Sequence, residues 1–248
     1  MNLLKSFFGK KNKETFDLST LAVDMHSHLI PGIDDGSQSM DHTIGMLLRF
    51  SELGYKKVIT TPHIMYDYYK NTPEIILKGL EEVRAELRKL NIPIEIDAAA
   101  EYFYDEHFVD LIENEKLLTF GENNVLFEFS FGAKPNNTDQ LVFDLKTKGY
   151  QPILAHYERY LFFLDEGIAP ASKLREQGVH IQMNLNSLTG HYGKEIKRQA
   201  ELLVDNNLID YLGTDCHRVE HLNILQSNLS GKYFRKLKEM TFRNKDLM

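Results

Sequence analysis

Short apolar runs alternate with longer amphipathic segments along most of the chain. The runs favour β-branched and aromatic residues, as buried parallel strands do. They predict seven strands, at residues 21–28, 57–63, 94–101, 124–130, 152–156, 179–186 and 209–215. Alternation of strand and helix over the whole length indicates an α/β fold, a parallel sheet covered by helices. Seven strands can form a barrel or a doubly wound sheet, and periodicity does not separate the two.

The clearest helix is predicted to begin after Thr72, a good N-cap, with Pro73 at its first position. Its apolar residues recur every three or four positions and therefore share one face. They are Ile76, Leu80, Val83, Leu87 and Leu90. Asn91 is expected to end it. Two more helices are predicted, at residues 39–53 and near residues 193–206.

Composition narrows the class of protein. The chain has 248 residues, with 29 Lys and Arg against 36 Asp and Glu, and a formal charge of −7. An acidic chain lacks the broad basic field that nucleic acid binding usually needs, so no nucleic acid partner is expected. The single cysteine, Cys216, excludes an intrachain disulfide and fits a reducing cytoplasm. No apolar run approaches the roughly 20 residues that span a bilayer.

The amino terminus is predicted to stand apart from the folded domain. Residues 1–20 are expected to form a flexible extension, and residues 21–248 a single domain. The sequence MNLLKSFFGKKNK at residues 1–13 is too short and too interrupted for a secretory signal. It has two interpretations, a frayed solvated tail or an amphipathic segment that docks on a membrane surface or a partner.

The carboxyl ends of six predicted strands carry His, Glu or Asp. These residues are His26, His28, His63, Glu101, Glu128, His156, Asp215 and His217. In a parallel α/β fold all these strand ends lie at one face, where active sites are built. His26 and His28 are two apart on a strand, so their side chains point to the same side and can chelate one ion. One such residue alone would be unremarkable, but six strands with the same feature predict a common site.

Metal ions explain this accumulation best. Buried carboxylates and imidazoles are costly unless they are paired or bound to cations. A set without thiolates disfavours a structural zinc site and suits manganese, iron, cobalt or catalytic zinc. More than four ligands implies more than one ion, and ions a few ångströms apart are typical of phosphoester hydrolysis.

Seven sequence blocks carry a resemblance to a known family. They are DMHSHLIPGIDDGSQS (24–39), ELGYKKVITTPH (52–63), AAAEYFYDEHF (98–108), VLFEFSF (125–131), GYQPILAHYERY (149–160), QMNLNSLTGHYGK (182–194) and YLGTDCH (211–217). The chain resembles the polymerase-and-histidinol-phosphatase (PHP) superfamily. Within it, the chain resembles the bacterial manganese-dependent protein-tyrosine phosphatases that regulate capsular and exopolysaccharide export.

The resemblance implies a distorted seven-stranded (β/α)7 TIM-like barrel with up to three metal ions, manganese being favoured, at the carboxyl ends of the strands. The metal ligands implied are His26, His28, Asp35, His63, Glu101, Glu128, His156, Asp215 and His217. The arginine that engages phosphate falls on Arg159. Where the family commonly has Pro after the fifth-strand histidine, this chain has Tyr157. A second arginine known in part of the family falls on Leu222, and Arg218 is the candidate to replace it.

The sequence excludes a cysteine-based tyrosine phosphatase. That mechanism needs an arginine six positions after the cysteine, and Leu222 stands there instead. Cys216 lies between two ligand positions on a strand end, so its side chain is expected to point away from them and to pack. The mechanism expected is direct attack by metal-activated hydroxide, with Arg159 neutralising the phosphoryl oxygens. Three tyrosines at residues 66, 68 and 69 could line an aromatic entrance or belong to a surface loop.

The partner that the resemblance implies is a phosphotyrosine protein, in particular a bacterial tyrosine autokinase that controls exopolysaccharide synthesis or export. The chain would then act in the cytoplasm, at the inner face of the membrane. Two alternatives remain. One is another PHP phosphomonoesterase, such as a histidinol phosphatase, which would use much the same ligands. The other is a non-catalytic metal-binding regulator, against which the near-complete ligand set argues.

Overall fold

The computed structural model describes residues 15–248. The tail at residues 1–13, with its two interpretations, lies outside them. The packed domain extends further towards the amino terminus than expected, because Phe16 and Leu18 are buried in the core. The backbone N–H of Phe16 also donates to the carbonyl of Leu229 at 2.9 Å. Residues 16–20 therefore pack with the domain that was expected to begin at residue 21.

The strands in the described residues are short, and each is parallel to its neighbours. They are β1 (Val23–Asp24), β2 (Lys57–Thr60), β3 (His63–Ile64), β4 (Glu95–Ala98), β5 (Glu101–Phe103), β6 (Asn124–Glu128), β7 (Gln151–Leu154), β8 (His180–Asn184) and β9 (Tyr211–Gly213). They pair in the orders β1–β2–β4 and β3–β5–β6–β7–β8–β9. The predicted parallel α/β sheet is confirmed.

The strand count differs from the expected seven. Nine strands are present in the described part of the chain, because two predicted strands are each divided. The division between β2 and β3 falls at Thr61 and Pro62. Proline has no backbone N–H and therefore interrupts a ladder of hydrogen bonds. Across this break, Thr61 N–H donates to the carbonyl of Ser27 and Glu101 N–H to that of Pro62, so the course of the backbone is kept.

The sheet curls until its first and last strands meet. Beyond the ends of β1 and β9, Ser27 and Cys216 form a parallel bridge. At the other end of these strands, the side chain of Asn244 accepts from Leu212 N–H and donates to the carbonyls of Val23 and Leu212. A residue close to the carboxyl terminus therefore joins β1 to β9.

Helices cover the outside of the curled sheet. The α-helices are α1 (Met40–Glu52), α2 (Pro73–Leu90), α3 (Glu106–Asn114), α4 (Thr138–Thr147), α5 (Ala169–Glu176), α6 (Lys194–Asp205), α7 (Val219–Asn228) and α8 (Lys232–Leu237). Short 3-10 helices cover Leu18–Thr20, Tyr157–Arg159, Leu161–Glu166, Leu185–Thr189 and Arg243–Leu247. Within residues 15–248, no helix is both long and apolar enough to cross a bilayer.

The three predicted helices are confirmed as α1, α2 and α6. Thr72 caps α2 by accepting from Ile75 N–H, and Asn91 ends it in a left-handed conformation. Four of its five predicted apolar positions are buried, whereas Leu90 in the last turn is 46% exposed.

Two groups of buried side chains form the core. The larger lies between the helices and the sheet. The smaller group consists of residues in the strands or in the segments near them. Its members are Val23, Met25, Ile59, Ala99, Phe120, Leu126, Ile153, Ala155, Tyr211 and Leu247. Side chains alternate between the faces of a strand, so this second group lies on the concave face of the sheet. It forms the floor beneath the carboxyl ends of the strands.

Candidate metal centre

The nine predicted ligand residues come together at the carboxyl ends of the strands. Each belongs to at least one group whose nitrogen and oxygen atoms lie within 4.8 Å of one another. The nine are His26, His28, Asp35, His63, Glu101, Glu128, His156, Asp215 and His217. Asp35 lies far along the loop between β1 and α1, and the others lie in strands or within four residues after a strand ends.

One group is formed by His26, His28, Glu101 and Asp215. Nε2 of His26 lies 3.4 Å from Nε2 of His28. Oε2 of Glu101 is 3.2 and 3.3 Å from these two nitrogens, and Oδ1 of Asp215 is 3.6 Å from each. Ligand atoms about 2.1 Å from an ion lie roughly 3.0–3.5 Å from one another in octahedral or tetrahedral arrangements. The four atoms therefore have the spacing of ligands around one ion.

A second group uses the other oxygen of the same glutamate. Nε2 of His156 lies 3.0 Å from Oε1 of Glu101 and 3.6 Å from Oε2 of Glu128. Glu101 thus presents one oxygen to each group and would hold an ion in each if both were bound.

A third group lies towards solvent. Oδ1 of Asp35, a residue whose side chain is 54% exposed, is 3.6 Å from Nε2 of His63 and 3.4 Å from Nε2 of His217. The second ring nitrogen of His63, Nδ1, lies 3.2 Å from Glu101 and 3.2 Å from Glu128. His63 is therefore placed between the second and third groups.

Several buried atoms of this centre lack hydrogen-bond partners among the described residues. Both carboxylate oxygens of Glu101 are in this state, as are Nδ1 of His63 and Nδ1 of His156. Glu101 is completely buried. A buried carboxylate without a hydrogen-bond donor is strongly destabilising unless a cation binds it. The donor set and its unsatisfied oxygens therefore fit divalent metal ions.

The pKa values of the clustered side chains also indicate a site for cations. Burial lowers the pKa of His26, but the carboxylates of Glu101 and Asp215 outweigh burial and raise this pKa to about 9. Burial raises the pKa of Glu101, but His26 and His63 hold it well below its usual value. The hydrogen bond from His217 holds the pKa of Asp35 at about 2. The carboxylates thus draw positive charge into the centre, which metal ions can supply in place of protons.

Neighbouring side chains orient the imidazole rings. Asp34, adjacent to Asp35, contacts Nδ1 of His28 at 2.8 Å through Oδ2 and accepts from the N–H of Gly36 through Oδ1. A proton on Nδ1 leaves Nε2 of His28 free to bind an ion. The sequence showed both aspartates of this loop, but the strand-end pattern did not distinguish the orienting Asp34 from Asp35.

Two residues of β8 link the groups from below. Oε1 of Gln182 lies 3.0 Å from Nδ1 of His26 and accepts from the backbone N–H of His156 at 2.7 Å. Nε2 of Gln182 donates to Asn184, whose Nδ2 in turn donates to Oδ2 of Asp215 at 2.8 Å. Sequence reasoning missed this chain of amides because β8 carries no charged residue at its end.

Two of the nine residues have left-handed backbone conformations. His156 has φ +31° and Asp215 has φ +51°. Residues other than glycine rarely adopt such angles, and strain of this kind concentrates at functional sites. Here the left-handed conformation directs the side chains of His156 and Asp215 towards the centre, shortly after β7 and β9 end.

Arg159 lies beside the centre with its guanidinium held on three sides. Nη1 donates to Oδ2 of Asp215 at 3.0 Å. The rings of Phe131 and Tyr192 lie 4.3 and 4.9 Å from Cζ. Burial lowers the pKa of Arg159, but Asp215 together with Tyr192, Glu158 and Glu101 outweighs burial and raises it. The charge is therefore fixed and permanent at the edge of the centre.

A cavity of about 570 Å³ opens over the centre. Arg159 and Arg218 both line it. Leu222, where part of the family carries a second arginine, is fully buried in the core. Arg218 is thus the second arginine that the described residues place at the cavity.

Of the three tyrosines considered for the entrance, none lines this cavity. Tyr66 and Tyr68 are exposed, and Tyr69 stacks on the ring of His63 at 5.4 Å. Tyr66 and Tyr68 thus belong to a surface loop, as in the second interpretation, whereas Tyr69 lies against a residue of the metal centre. The phenylalanine and tyrosine residues that line the cavity all lie outside this loop. They are Phe103, Phe129, Phe131 and Tyr192.

Cys216 packs in the core, as expected. It is completely buried, and Sγ lies 3.6 Å from Sδ of Met46. Burial raises the pKa of this thiol well above its usual value, so it stays protonated and is a poor nucleophile.

Comparison with known proteins gives consistent matches. A family model described as "Capsular polysaccharide synthesis, CpsB/CapC" matches residues 22–236. The tyrosine-protein phosphatase YwqE of Bacillus subtilis (strain 168) is 32% identical over 202 residues, covering 81% of this chain and 79% of YwqE. The putative tyrosine-protein phosphatase CapC of Staphylococcus aureus is 27% identical over 219 residues, covering 87% of this chain and 84% of CapC.

Solved structures agree with these matches. The chain superposes with a TM-score of 0.77 and 28% identity on a structure from a study of YwqE from Bacillus subtilis and CpsB from Streptococcus pneumoniae, described as unique metal-dependent tyrosine phosphatases. That match covers 91% of this chain and 93% of the other. Histidinol phosphate phosphatase from Lactococcus lactis shares the fold, with a TM-score of 0.54 and 12% identity over 86% of this chain and 92% of that one.

Proposed function

The chain belongs to the CpsB/CapC capsular polysaccharide synthesis family, and we propose that it hydrolyses phosphotyrosine in proteins with metal ions held by the nine clustered side chains. It is a metal-dependent tyrosine-protein phosphatase and hence a phosphoric monoester hydrolase. The observation that carries the metal sites is Glu101, whose two buried oxygens lack a hydrogen bond of acceptable geometry and face imidazole nitrogens of two groups at 3.0–3.3 Å.

The nine residues divide into three ion sites with no atom used twice. The first consists of His26, His28, Asp215 and one oxygen of Glu101, and the second of His156, Glu128 and the other oxygen of Glu101. The third consists of Asp35, His63 and His217. The spacings of 3.0–3.6 Å within each group support this division. Imidazole and carboxylate ligands suit manganese, which we take as the native metal, ahead of iron, cobalt and zinc.

Ions bound here would lower the pKa of water towards neutrality and so supply a nucleophile. Arg159 binds the phosphoryl oxygens, because its contacts with Asp215, Phe131 and Tyr192 fix the guanidinium beside the cavity. A guanidinium forms paired, charge-assisted hydrogen bonds with phosphate. Arg218, which is exposed and lines the same cavity, supplies a second positive charge.

The leaving group needs little help from an acid. Tyrosinate has a parent pKa of about 10, far below that of a serine alkoxide, and departs readily once the phosphoryl charge is neutralised. The site therefore favours phosphotyrosine over phosphoserine without a dedicated general acid.

The substrate that we propose is a phosphorylated tyrosine autokinase that controls exopolysaccharide synthesis or export. The capsular polysaccharide description of the family supports it. A flexible tyrosine tail could enter the open cavity, whereas a folded phosphotyrosine loop would have to unfold or fit. The protein would act in the cytoplasm at the inner face of the membrane, where such a tail would lie.

A paired substrate assay tests the function. The purified, manganese-loaded protein is incubated with a phosphotyrosine peptide, the matching phosphoserine peptide and histidinol phosphate, and phosphate release is measured. We expect turnover of the phosphotyrosine peptide alone at a substantial rate. Faster release from histidinol phosphate would favour the other phosphomonoesterase, and no release from any substrate would favour the non-catalytic regulator.

A further inference from the structure

Phe131 is a large apolar side chain that lies partly exposed on the wall of the metal cavity. It follows β6 by three residues and is 44% exposed. Phe129, two residues earlier, is buried, and its backbone N–H donates to the hydroxyl of Tyr160 at 3.0 Å. The segment that carries Phe131 is thus tied to the core just before the exposed ring. Exposed apolar area at a cavity wall is available for contact with a ligand.

Buried aromatic rings support Phe131 from behind. Its ring stacks on Tyr160 with centroids 5.6 Å apart and an interplanar angle of 27°. Tyr160 is completely buried and stacks in turn on Phe162 at 5.5 Å. Phe131 also lies 5.4 Å from the ring of His156. A ring fixed in this way can bind another ring with little loss of its own conformational freedom.

The position of Phe131 relative to Arg159 determines which part of a bound phosphate ester the Phe131 ring can contact. The ring lies 4.3 Å from the guanidinium carbon that we assign to phosphate binding. In an aryl phosphate a single ester oxygen separates the ring from phosphorus, so a phosphate on Arg159 holds its aryl ring within a few ångströms of this wall. Met65 and Phe103 add further apolar surface to the cavity. An alkyl phosphate has no ring to cover the exposed part of Phe131, which would stay in water.

Building on the proposed phosphatase function, we infer that Phe131 contacts the aromatic ring of the phosphotyrosyl group and selects aryl over alkyl phosphates. The contact adds to the selection made by the leaving group, because it acts on binding before any bond breaks. Offset or edge-to-face contact between aromatic rings provides such a preference.

If Phe131 only supported Arg159, its replacement would change ligand affinities in a different pattern. If Phe131 only holds Arg159 through the cation–π contact, its removal weakens every phosphate ligand equally. If it also touches the substrate ring, its removal weakens aryl ligands more than alkyl ligands. Two phosphonates of equal charge, phenylphosphonate and ethylphosphonate, separate these roles, because only one carries a ring.

The experiment measures the dissociation constants of both phosphonates by calorimetry on manganese-loaded protein. We expect the unaltered protein to prefer phenylphosphonate, and Phe131→Ala to raise the dissociation constant for phenylphosphonate about tenfold. The constant for ethylphosphonate should rise by a clearly smaller factor, because this ligand loses only the cation–π support that Phe131 gives to Arg159. Phe131→Tyr, which keeps the ring, should retain the preference. Phe143→Ala is the matched control, since Phe143 is 63% exposed on α4 and does not line the cavity.

Equal weakening of both phosphonates by Phe131→Ala would overturn the inference, and so would the absence of any preference in the unaltered protein. Hydrolysis of the phosphotyrosine peptide is measured in parallel. Failure of the unaltered protein to hydrolyse that peptide counts against the proposed function, whereas the ratio of the two dissociation constants reports on Phe131 independently.

Discussion

One contact between Arg159 and Asp215 connects the arginine that we propose for phosphate binding to the proposed metal centre. Nη1 of Arg159 donates to Oδ2 of Asp215, while Oδ1 of the same carboxylate lies 3.6 Å from the imidazoles of His26 and His28. One carboxylate therefore fixes the arginine with one oxygen and faces the proposed first ion with the other. Loss of the arginine leaves Oδ1 in place, since Asn184 still donates to Oδ2.

Replacement of Arg159 should separate catalysis from metal content. We expect Arg159→Ala to lower the rate of phosphotyrosine hydrolysis on the order of 10²–10³-fold, the usual effect of losing one transition-state donor. Metal content, measured by elemental analysis, should stay the same. Arg159→Lys keeps the charge but not the planar fork and should recover only part of the rate. A variant that turns over normally, or one that also loses its metals, would contradict the assignment.

Removal of metal should abolish activity and lower stability together. Dialysis against EDTA is expected to stop hydrolysis, and added manganese to restore it. A ligand at a free concentration about 100 times its dissociation constant stabilises the native state by about 2.7 kcal/mol, which for a chain of this size raises the melting temperature by roughly 5–10 °C. Differential scanning fluorimetry with and without manganese measures the shift. Full activity in a preparation shown to be free of metal would refute the metal dependence.

The metal-free protein should lose stability as pH rises from about 6.5 to about 9. In that form the pKa of His26 is raised to about 9, above the unfolded value near 6.5. A group with a raised pKa stabilises the folded state fully below the unfolded pKa, and this contribution disappears as pH passes the folded pKa. Manganese competes with these protons and binds better at higher pH. The melting temperature in saturating manganese should therefore decline less over this range; equal slopes with and without metal would show that the imidazoles do not exchange protons for ions.

Gln182 should control metal affinity without touching an ion. Its Oε1 contacts Nδ1 of His26 and accepts from His156 N–H, so it orients residues of two proposed sites. Partners of this kind typically change metal affinity by about 10–100-fold when replaced. We expect that loss in Gln182→Leu, measured by titration with manganese. Gln199→Leu is the control, because Gln199 is equally buried but donates only to the carbonyls of Tyr157 and Tyr160. A similar loss of affinity in both variants would indicate a general effect of destabilisation.

The sequence predicted the parallel α/β fold, three helices and the convergence of eight strand-end side chains, because each depends on local pattern. Strand ends follow from apolar runs, and parallel strands bring their ends to one face. The family relationship, now shown, added Asp35, which lies in a loop and has no strand to mark it.

Features that depend on tertiary contacts escaped prediction. Gln182 and Asn184 are uncharged and acquire their role only because β8 passes beneath His26 and Asp215. The tyrosine loop after β3 had two equally good interpretations, since sequence does not fix the direction in which a loop folds back. The missing N–H of Pro62 could have indicated that the strand divides there. Residues 57–63 were instead read as one continuous strand.

The contacts of Asn244 affect the order in which the sheet can form during translation. This residue follows the end of β9 by 31 positions and bonds to both β1 and β9. About 190 residues separate those strands, so at 5–20 residues per second β1 emerges from the ribosome roughly 10–40 s before β9. During that interval β1 can pair only with β2, and His26 and His28 wait without the Asp215 that completes their group. The group formed by His26, His28, Glu101 and Asp215 is therefore completed only after β9 has been made.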